Sequence, residues 1–343
     1  MKIILVFICL FISVSVLCQE QVYFSEVYNP MENFARGRGI VADGEVYYCL
    51  TNTDDPSNTW QSFLLMKLDK YGEIIQQELF HLPGHALYPG SVGGTLKKTN
   101  DGNFVFAYHA DGNGLTYSSL VKFDDQLDTI WKQNYSTEYL WTMTMNCNLT
   151  SDGGFILCGS VKPEDGEYWD FILLKTDSEG HEQWHEVYGT TWSEHGQNVV
   201  QTPDGGYLTG GYFWKPGIDH SLDAMVVKTD SLGNEEWTKY YGNPDVDDDM
   251  AFVALATDGN YLVATVYGEY IWTNEERAGR IYLIKIDENG DIVWENKMGE
   301  TRYGYYMKNL KQTDGNYYVA NGWSEVIDTT IPFVNYPGWI FKF

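Results

Sequence analysis

Basic residues are scarce in this chain: 22 Lys+Arg stand against 48 Asp+Glu, a formal charge of −26. A surface for nucleic acid or anionic lipid needs clustered Lys/Arg to displace counterions, so no nucleic acid is expected as a partner. Alanine is equally scarce, with 12 residues against 34 glycines, which disfavours helices and favours strands and tight turns. Apolar runs of membrane-spanning length are missing. The longest, Ile3 to Leu17 behind Met1-Lys2, has 15 residues and is too short for a comfortable span. It reads as a secretory signal cut just before Gln19, which makes the mature chain secreted, periplasmic or cell-surface, with no membrane span. Acylation of Cys18 as in a lipoprotein is the competing reading, disfavoured because Leu17 is not small. Cysteine is sparse too: Cys9 and Cys18 belong to the signal, and Cys49, Cys147 and Cys158 leave an odd count with at least one free thiol. Cys147 and Cys158 flank Asp152-Gly153 symmetrically. Counting outward from a two-residue turn sets them at a hydrogen-bonded pair, where a bridge fits poorly, so both are expected reduced and buried.

Aromatic side chains are abundant, at 16% of the chain within a hydrophobic fraction of 43%, which is too much buryable surface for a disordered acidic tail. They are arranged periodically. An Asp-Gly pair recurs at Asp43-Gly44, Asp101-Gly102, Asp152-Gly153, Asp204-Gly205, Asp258-Gly259 and Asp314-Gly315, with spacings of 58, 51, 52, 54 and 56 residues. Each is followed by an apolar strand ending in Lys67, Lys122, Lys175, Lys228, Lys285 or Lys342. In repeats two to five a Trp comes nine residues after that Lys, at Trp131, Trp184, Trp237 and Trp294, and repeat one has Gln76 there. Asp-Gly between apolar runs predicts a two-residue hairpin with positive φ at both central positions. The second turn, such as Asp177-Ser178-Glu179-Gly180, has the Asp-first, Gly-last form of a type I turn. Four antiparallel strands per unit, six times over, predict an all-β, six-bladed β-propeller spanning 19–343 as one domain. A solenoid is the runner-up. Repeat six stops at Phe343 after its third strand, and Phe24 to Asn29 aligns with Trp184 to Gly189, so an N-terminal strand is expected to close the ring.

The unit Thr202-Pro203-Asp204-Gly205-Gly206-Tyr207-Leu208, continuing through Lys228-Thr229-Asp230-Ser231-Leu232-Gly233 to Trp237 and Tyr241-Gly242, resembles the repeat of secreted propeller proteins abundant in Bacteroidetes. The resemblance covers Gln19 to Phe343 and implies a propeller but no uniform activity. Many of those proteins carry a C-terminal type IX sorting domain, and none is recognisable here. Gly180-x-x-x-Trp184 is similar to the tryptophan-docking motif of quinoprotein dehydrogenases, which implies a Trp wedged between blades and not a quinone. Sialidase Asp-boxes need Asp-x-Gly, and the spacing here is Asp-x-x-Gly, so sialidase is rejected.

Function is expected on the face built from the long loops between second and third strands and from the crossings between repeats, because loops on a rigid scaffold carry binding. The candidate ligand-binding residues are Trp192, Glu194, His195, Trp214, Trp272 and Tyr305. The acidic crossing Asp245-x-Asp247-Asp248-Asp249 supplies hard oxygen ligands, with Asp247, Asp248 and Asp249 the candidates for Ca²⁺, although a solvated acidic loop is the plainer reading. Asp287-x-Asn289-x-Asp291 resembles a Ca²⁺ loop superficially, but it lies in the repeated turn and is assigned to structure. The Lys found in every repeat is likewise assigned to scaffold. The preferred reading is a monomeric, non-enzymatic module that binds a protein or polysaccharide and needs no cofactor. The alternatives are a glycan-directed hydrolase or lyase using carboxylates and His, and a purely structural surface protein.

Overall fold

The computed structural model describes residues 35–54, 61–90, 95–112, 114–137, 139, 141–163, 166, 168–214, 222–242, 248, 250–267, 280–299, 303–312, 318–326 and 338–342. The signal segment, the strand expected at Phe24 to Asn29 and the turn Asp314-Gly315 lie outside the described residues.

Every described regular element is a strand, and within each unit neighbouring strands run antiparallel. The first unit comprises β1 (Ala35–Asp43), β2 (Val46–Asp54), β3 (Gln61–Asp69) and β4 (Ile74–Phe80). In the second, β5 (Ala86–Pro89) and β6 (Lys97–Lys98) share the inner position, ahead of β7 (Phe104–Gly112), β8 (Leu115–Phe123) and β9 (Thr129–Tyr135). The third has β10 (Trp141–Leu149), β11 (Phe155–Lys162), β12 (Asp170–Thr176) and β13 (Glu182–Tyr188), and a single parallel bridge, Trp141 to Thr116, ties it to the second. The fourth has β14 (Ser193–Gln201), β15 (Tyr207–Trp214), β16 (Leu222–Thr229) and β17 (Glu235–Tyr241). The fifth has β18 (Phe252–Leu255), β19 (Tyr261–Tyr267), β20 (Arg280–Ile286) and β21 (Ile292–Met298). The last described unit has β22 (Tyr303–Gln312), β23 (Tyr318–Val326) and β24 (Gly338–Lys342). The first strands pack against one another from unit to unit, β10 on β14, β14 on β18 and β18 on β22, so they are innermost.

Burial explains the residue pattern. The two middle strands of a unit are covered on both faces by neighbouring units, so β11 and β12 are apolar without alternation, whereas the outer β13 is largely exposed. Five cores join successive units, as where Ile156, Phe171 and Leu173 of the third pack with Val199, Tyr207 and Val227 of the fourth, and a smaller one around Leu64, Met66 and Leu68 lies within the first unit. Cys147 belongs to the core on one side of the third unit and Cys158 to the core on the other. Both thiols are buried and free, as expected, but the expected direct pairing is corrected: the turn closes between Thr150 and Gly154, which sets Cys147 opposite Leu157.

The hairpin turns also differ from expectation. Among the described residues Leu127 is the sole non-glycine with positive φ, so the Asp of each described pair is not left-handed. Instead, Gly153 N–H donates to Thr150 O at 3.0 Å and Thr150 N–H to Gly154 O at 3.0 Å, and only Gly153 takes φ 84°. This type I turn followed by a left-handed glycine frees the Asp carboxylate to point inward. Lys175 Nζ reaches Asp152 Oδ2 at 2.8 Å, Lys228 reaches Asp204 at 2.8 Å and Lys122 reaches Asp101 at 2.6 Å. Lys285 pairs with Asp258 in the same way. A Cβ on Gly206 would lie 2.1 Å from Thr229 O and 2.9 Å from Lys228 Nζ, so the second glycine of Asp-Gly-Gly makes room for the ammonium.

The outer strand locks onto the next unit. Trp131 covers Gly180, Trp184 covers Gly233 and Trp237 covers Gly290, each close enough that a glycine Cβ would lie 2.8 to 3.1 Å from the ring. Four residues further on, the hydroxyls of Tyr135, Tyr188 and Tyr241 donate to the carbonyls of the same glycines at 2.8, 2.5 and 2.7 Å. Repeat one lacks the Trp, and there the next unit's turn carries Leu127 at φ 64°, its side chain 3% exposed in the shared core. The missing indole is thus replaced from the opposite side of the interface. Trp294, expected in the same packing role, is instead 40% exposed, with no turn glycine of a following unit against it among the described residues.

Burial alone would raise the Asp152 and Asp204 carboxyls, but their lysines, threonines and turn amides override it and hold both at about 2, below the ordinary 3.8. Carboxyls held low contribute stability that is complete above about pH 4 and is lost as pH falls through their folded values. The melting temperature is therefore expected to fall steeply from pH 4 to 2, and Asp152→Asn with Asp204→Asn to start lower at pH 7 and lose less over that range. An unchanged slope in the double variant would contradict this assignment. Gly180→Ala combines left-handed strain with a clash against Trp131 and is expected to cost about 3 kcal/mol in chemical denaturation, against about 1 kcal/mol for Gly153→Ala, which meets nothing within 4 Å.

Candidate functional site

The ends of the strands opposite the Lys–Asp pairs bring together a crossing, a loop and two inner-facing strands. Glu194 is the second residue of β14, and its N–H donates to Trp169 O at 2.8 Å, which fastens the crossing to the loop before β12. The Trp169 N–H in turn donates to Ser193 Oγ at 3.2 Å. Trp169 lies edge-on to Trp141 at 6.4 Å and 5.9 Å from the His195 ring. The loops and crossings therefore do meet on one face, as the sequence reading placed them.

Glu194 is 2% exposed. Its Oε1 accepts from the Thr190 hydroxyl, and its Oε2 has no hydrogen-bond partner. Burial raises this carboxyl above the ordinary carboxylate range against the pull of Thr190, and the nearby Asp170 carboxyl pushes it the same way. Asp170, which opens β12, is also raised by burial. Two carboxyls held toward their protonated forms at the start of adjacent strands are suited to donating a proton. The next unit repeats the register with Asp223 and Asp248, both buried, and Asp248 N–H donates to Leu222 O at 2.6 Å as Glu194 does to Trp169.

His195 stacks on Tyr212 at 4.7 Å and 22°, and its Nδ1 lies 2.8 Å from Ser160 Oγ. Burial pushes its pKa down to about 4, so the imidazole is neutral at pH 7 and serves as a hydrogen-bonding group, not a cation. Trp192 is half-buried, its N–H bonded to Thr190 Oγ1 at 3.2 Å beside Glu194. Trp214, paired across the strands with Ser193, is 44% exposed.

The structure thus gathers Trp192, Glu194, His195 and Trp214 in one region. Trp272, Asp247 and Asp249 lie outside the described residues, and of Tyr305 only the backbone is described, in β22 opposite Ser324. Among the described residues no group of three His, Cys, Asp or Glu is placed to hold a metal ion. Asp287 behaves as the turn residue expected, its Oδ1 accepting from the N–H groups of Asn289 and Asp291 at 2.9 Å each. The sequence reading did not single out Asp170, Ser160 or Tyr212. The signal for Asp170 was its place five residues before Lys175, matched by Asp223 before Lys228.

No protein-family model matches the chain, and no curated protein matches it in sequence. Solved structures do. The chain is similar to the NanB sialidase from Streptococcus pneumoniae, with 8% identity over 90% of this chain and 68% of that one, at a TM-score of 0.55. It is also similar to the α-L-arabinofuranosidase Arb93A from Fusarium graminearum, with 12% identity over 90% of this chain and 92% of that one, at a TM-score of 0.50. It spans about half the length, 52% and 45%, of two acylaminoacyl peptidases, at TM-scores of 0.41 and 0.47. At these identities the likeness is one of fold, and with the antiparallel units and the cores between them it shows a chain of the β-propeller fold.

Proposed function

We propose that this protein is a glycan-directed hydrolase in which Glu194 donates the proton to the leaving oxygen. The observation that carries the reading is the Glu194 side chain: buried, raised by burial, its Oε2 unpartnered, and placed at the loop face beside Asp170. A carboxyl raised toward its protonated form suits the acid of glycosidic cleavage. Two of the structural neighbours named above are a sialidase and an arabinofuranosidase, which supports a glycan-directed reading of this fold. Neutral His195, held by Ser160 and Tyr212, offers an uncharged hydrogen-bonding edge for a sugar hydroxyl. The sialidase motif spacing remains absent, so the substrate class proposed is a neutral polysaccharide.

A second reading, binding without turnover to a polysaccharide or protein, is favoured by the exposed Trp214 indole, a flat apolar surface suited to stacking on a sugar ring. One experiment separates them. Incubation with a panel of plant and bacterial polysaccharides should release reducing ends, and Glu194→Gln should lower the rate at least about 100-fold while glycan retention is kept. Retention without release, lost in Trp214→Ala, would replace the first reading with the second. Neither release nor retention would overturn both.

We further propose an exported chain whose six repeats form a closed six-bladed ring, with Phe24 to Asn29 pairing along the outer edge of β24. The support is the sequence match of that segment to Trp184 to Gly189 and the three-stranded sheet that ends at β24 among the described residues. A mature chain starting at Met31 should melt at least about 10 °C lower and aggregate through its open edge. An equal melting temperature would contradict closure.

A further inference from the structure

The third unit carries a half-open aromatic corner on the loop face. Trp141, the first residue of β10, pairs across the strands with Lys162, the last of β11. Trp169 lies just ahead of β12, its ring 6.4 Å from that of Trp141 at an interplanar angle of 74°, so the two indoles meet as floor and wall. The Lys162 ammonium sits 5.9 Å over the Trp169 ring, and among the described residues it has no other partner. All three side chains are half-buried, so each keeps surface open to solvent.

The corner differs from the packing that builds the scaffold. None of its residues belongs to a described core cluster. Nor does it recur: at the register of Trp141 and Lys162 the fourth unit has Ser193 and Trp214, and the last described unit has Gly304 and Glu325. Its backbone is nevertheless fixed. The parallel bridge to Thr116 holds Trp141, and the Glu194 N–H and the Ser193 hydroxyl hold Trp169 on either side of its peptide. A surface set in place before binding loses little freedom when a ligand arrives.

Charge narrows the occupant. The chain is strongly acidic, and the Glu194 and Asp170 carboxyls stand on the same rim, so an anionic ligand is opposed. A neutral sugar ring fits, with a flat face of C–H groups for an indole and hydroxyls at its edge to accept from the ammonium. From Trp169 the rings continue to His195 at 5.9 Å and from there to Tyr212 at 4.7 Å, so the corner and the Glu194 strand lie on one path across the third and fourth units.

We propose that Trp141, Trp169 and Lys162 form a subsite for a neutral sugar ring, one step along the loop face from Glu194. It rests on the glycan-directed reading of that face, and not on turnover. The test is affinity electrophoresis through gels containing arabinan, xylan or β-glucan, with polygalacturonate as the charged comparison. At least one neutral polymer should retard the unaltered protein. Trp141→Ala should weaken that retention about 10-fold and Lys162→Met about 3-fold, with melting temperatures within about 2 °C of the unaltered protein. Lys162→Met keeps the test open should Trp141→Ala fail to fold. Retention as strong in both variants as in the unaltered protein would overturn the subsite and leave the glycan reading standing. No retention by any neutral polymer would overturn both, and stronger retention by polygalacturonate would overturn the assignment to a neutral sugar.

Discussion

The ion pair between the third-strand Lys and the hairpin Asp organises repeats two to five. Lys175 and Lys228 are nearly inaccessible, with side-chain exposures of 5% and 2%, whereas their partners Asp152 and Asp204 are about half exposed at 52% and 54%. A lone buried ammonium would cost several kcal/mol, so the strand carrying it stays in register only while the carboxylate is there. The same carboxylate accepts from Thr150 or Thr202 at 2.5 Å, and the lysine also reaches Gln183 or Glu236 on the outer strand. One cation thus joins the hairpin between the first two strands to the third and fourth. This explains why an acidic chain retains that lysine in repeats two to five, and why the turn is Asp-Gly-Gly where the ammonium penetrates furthest.

With each sheet braced internally, the interfaces between units can be apolar and simple. Aromatic rings from the outer strands close on turn glycines of the next unit, and the tyrosine four residues later bonds the carbonyl of that glycine. Repeat one departs in a coordinated way: Lys67 turns to the Asp125 carbonyl of the next unit at 2.9 Å, while Asp43 is taken by Lys98 at 2.5 Å. Gln76 replaces the Trp and Leu127 replaces the Gly. These changes keep the interface filled by different groups. The scaffold so formed holds Glu194, Asp170 and His195 at the strand ends opposite the Lys–Asp pairs.

The architecture was legible in the sequence because it repeats: the spacing of Asp-Gly, Lys and Trp gave the strands, the order of the turns and the wedging of Trp131, Trp184 and Trp237. What escaped was set by local geometry that composition does not encode. A turn closed between Thr150 and Gly154 by one left-handed glycine, not by two left-handed residues, set Cys147 opposite Leu157 and off Cys158. Trp294 shares its motif with the other three yet is partly exposed, since a motif reports a side chain and not its partner across the interface. At the site, Glu194 and His195 were visible as a polar pair among apolar strands, but Ser160, Asp170 and Tyr212 come from other strands and read as ordinary strand residues.

The account stands on the coupling of Lys175 to Asp152. A double-mutant cycle with Lys175→Met, Asp152→Asn and both together, measured by chemical denaturation, isolates it. The prediction is that the double variant is more stable than the sum of the single losses by about 1–3 kcal/mol. Single losses that add to within about 0.3 kcal/mol would show that the two residues act independently and would contradict the brace.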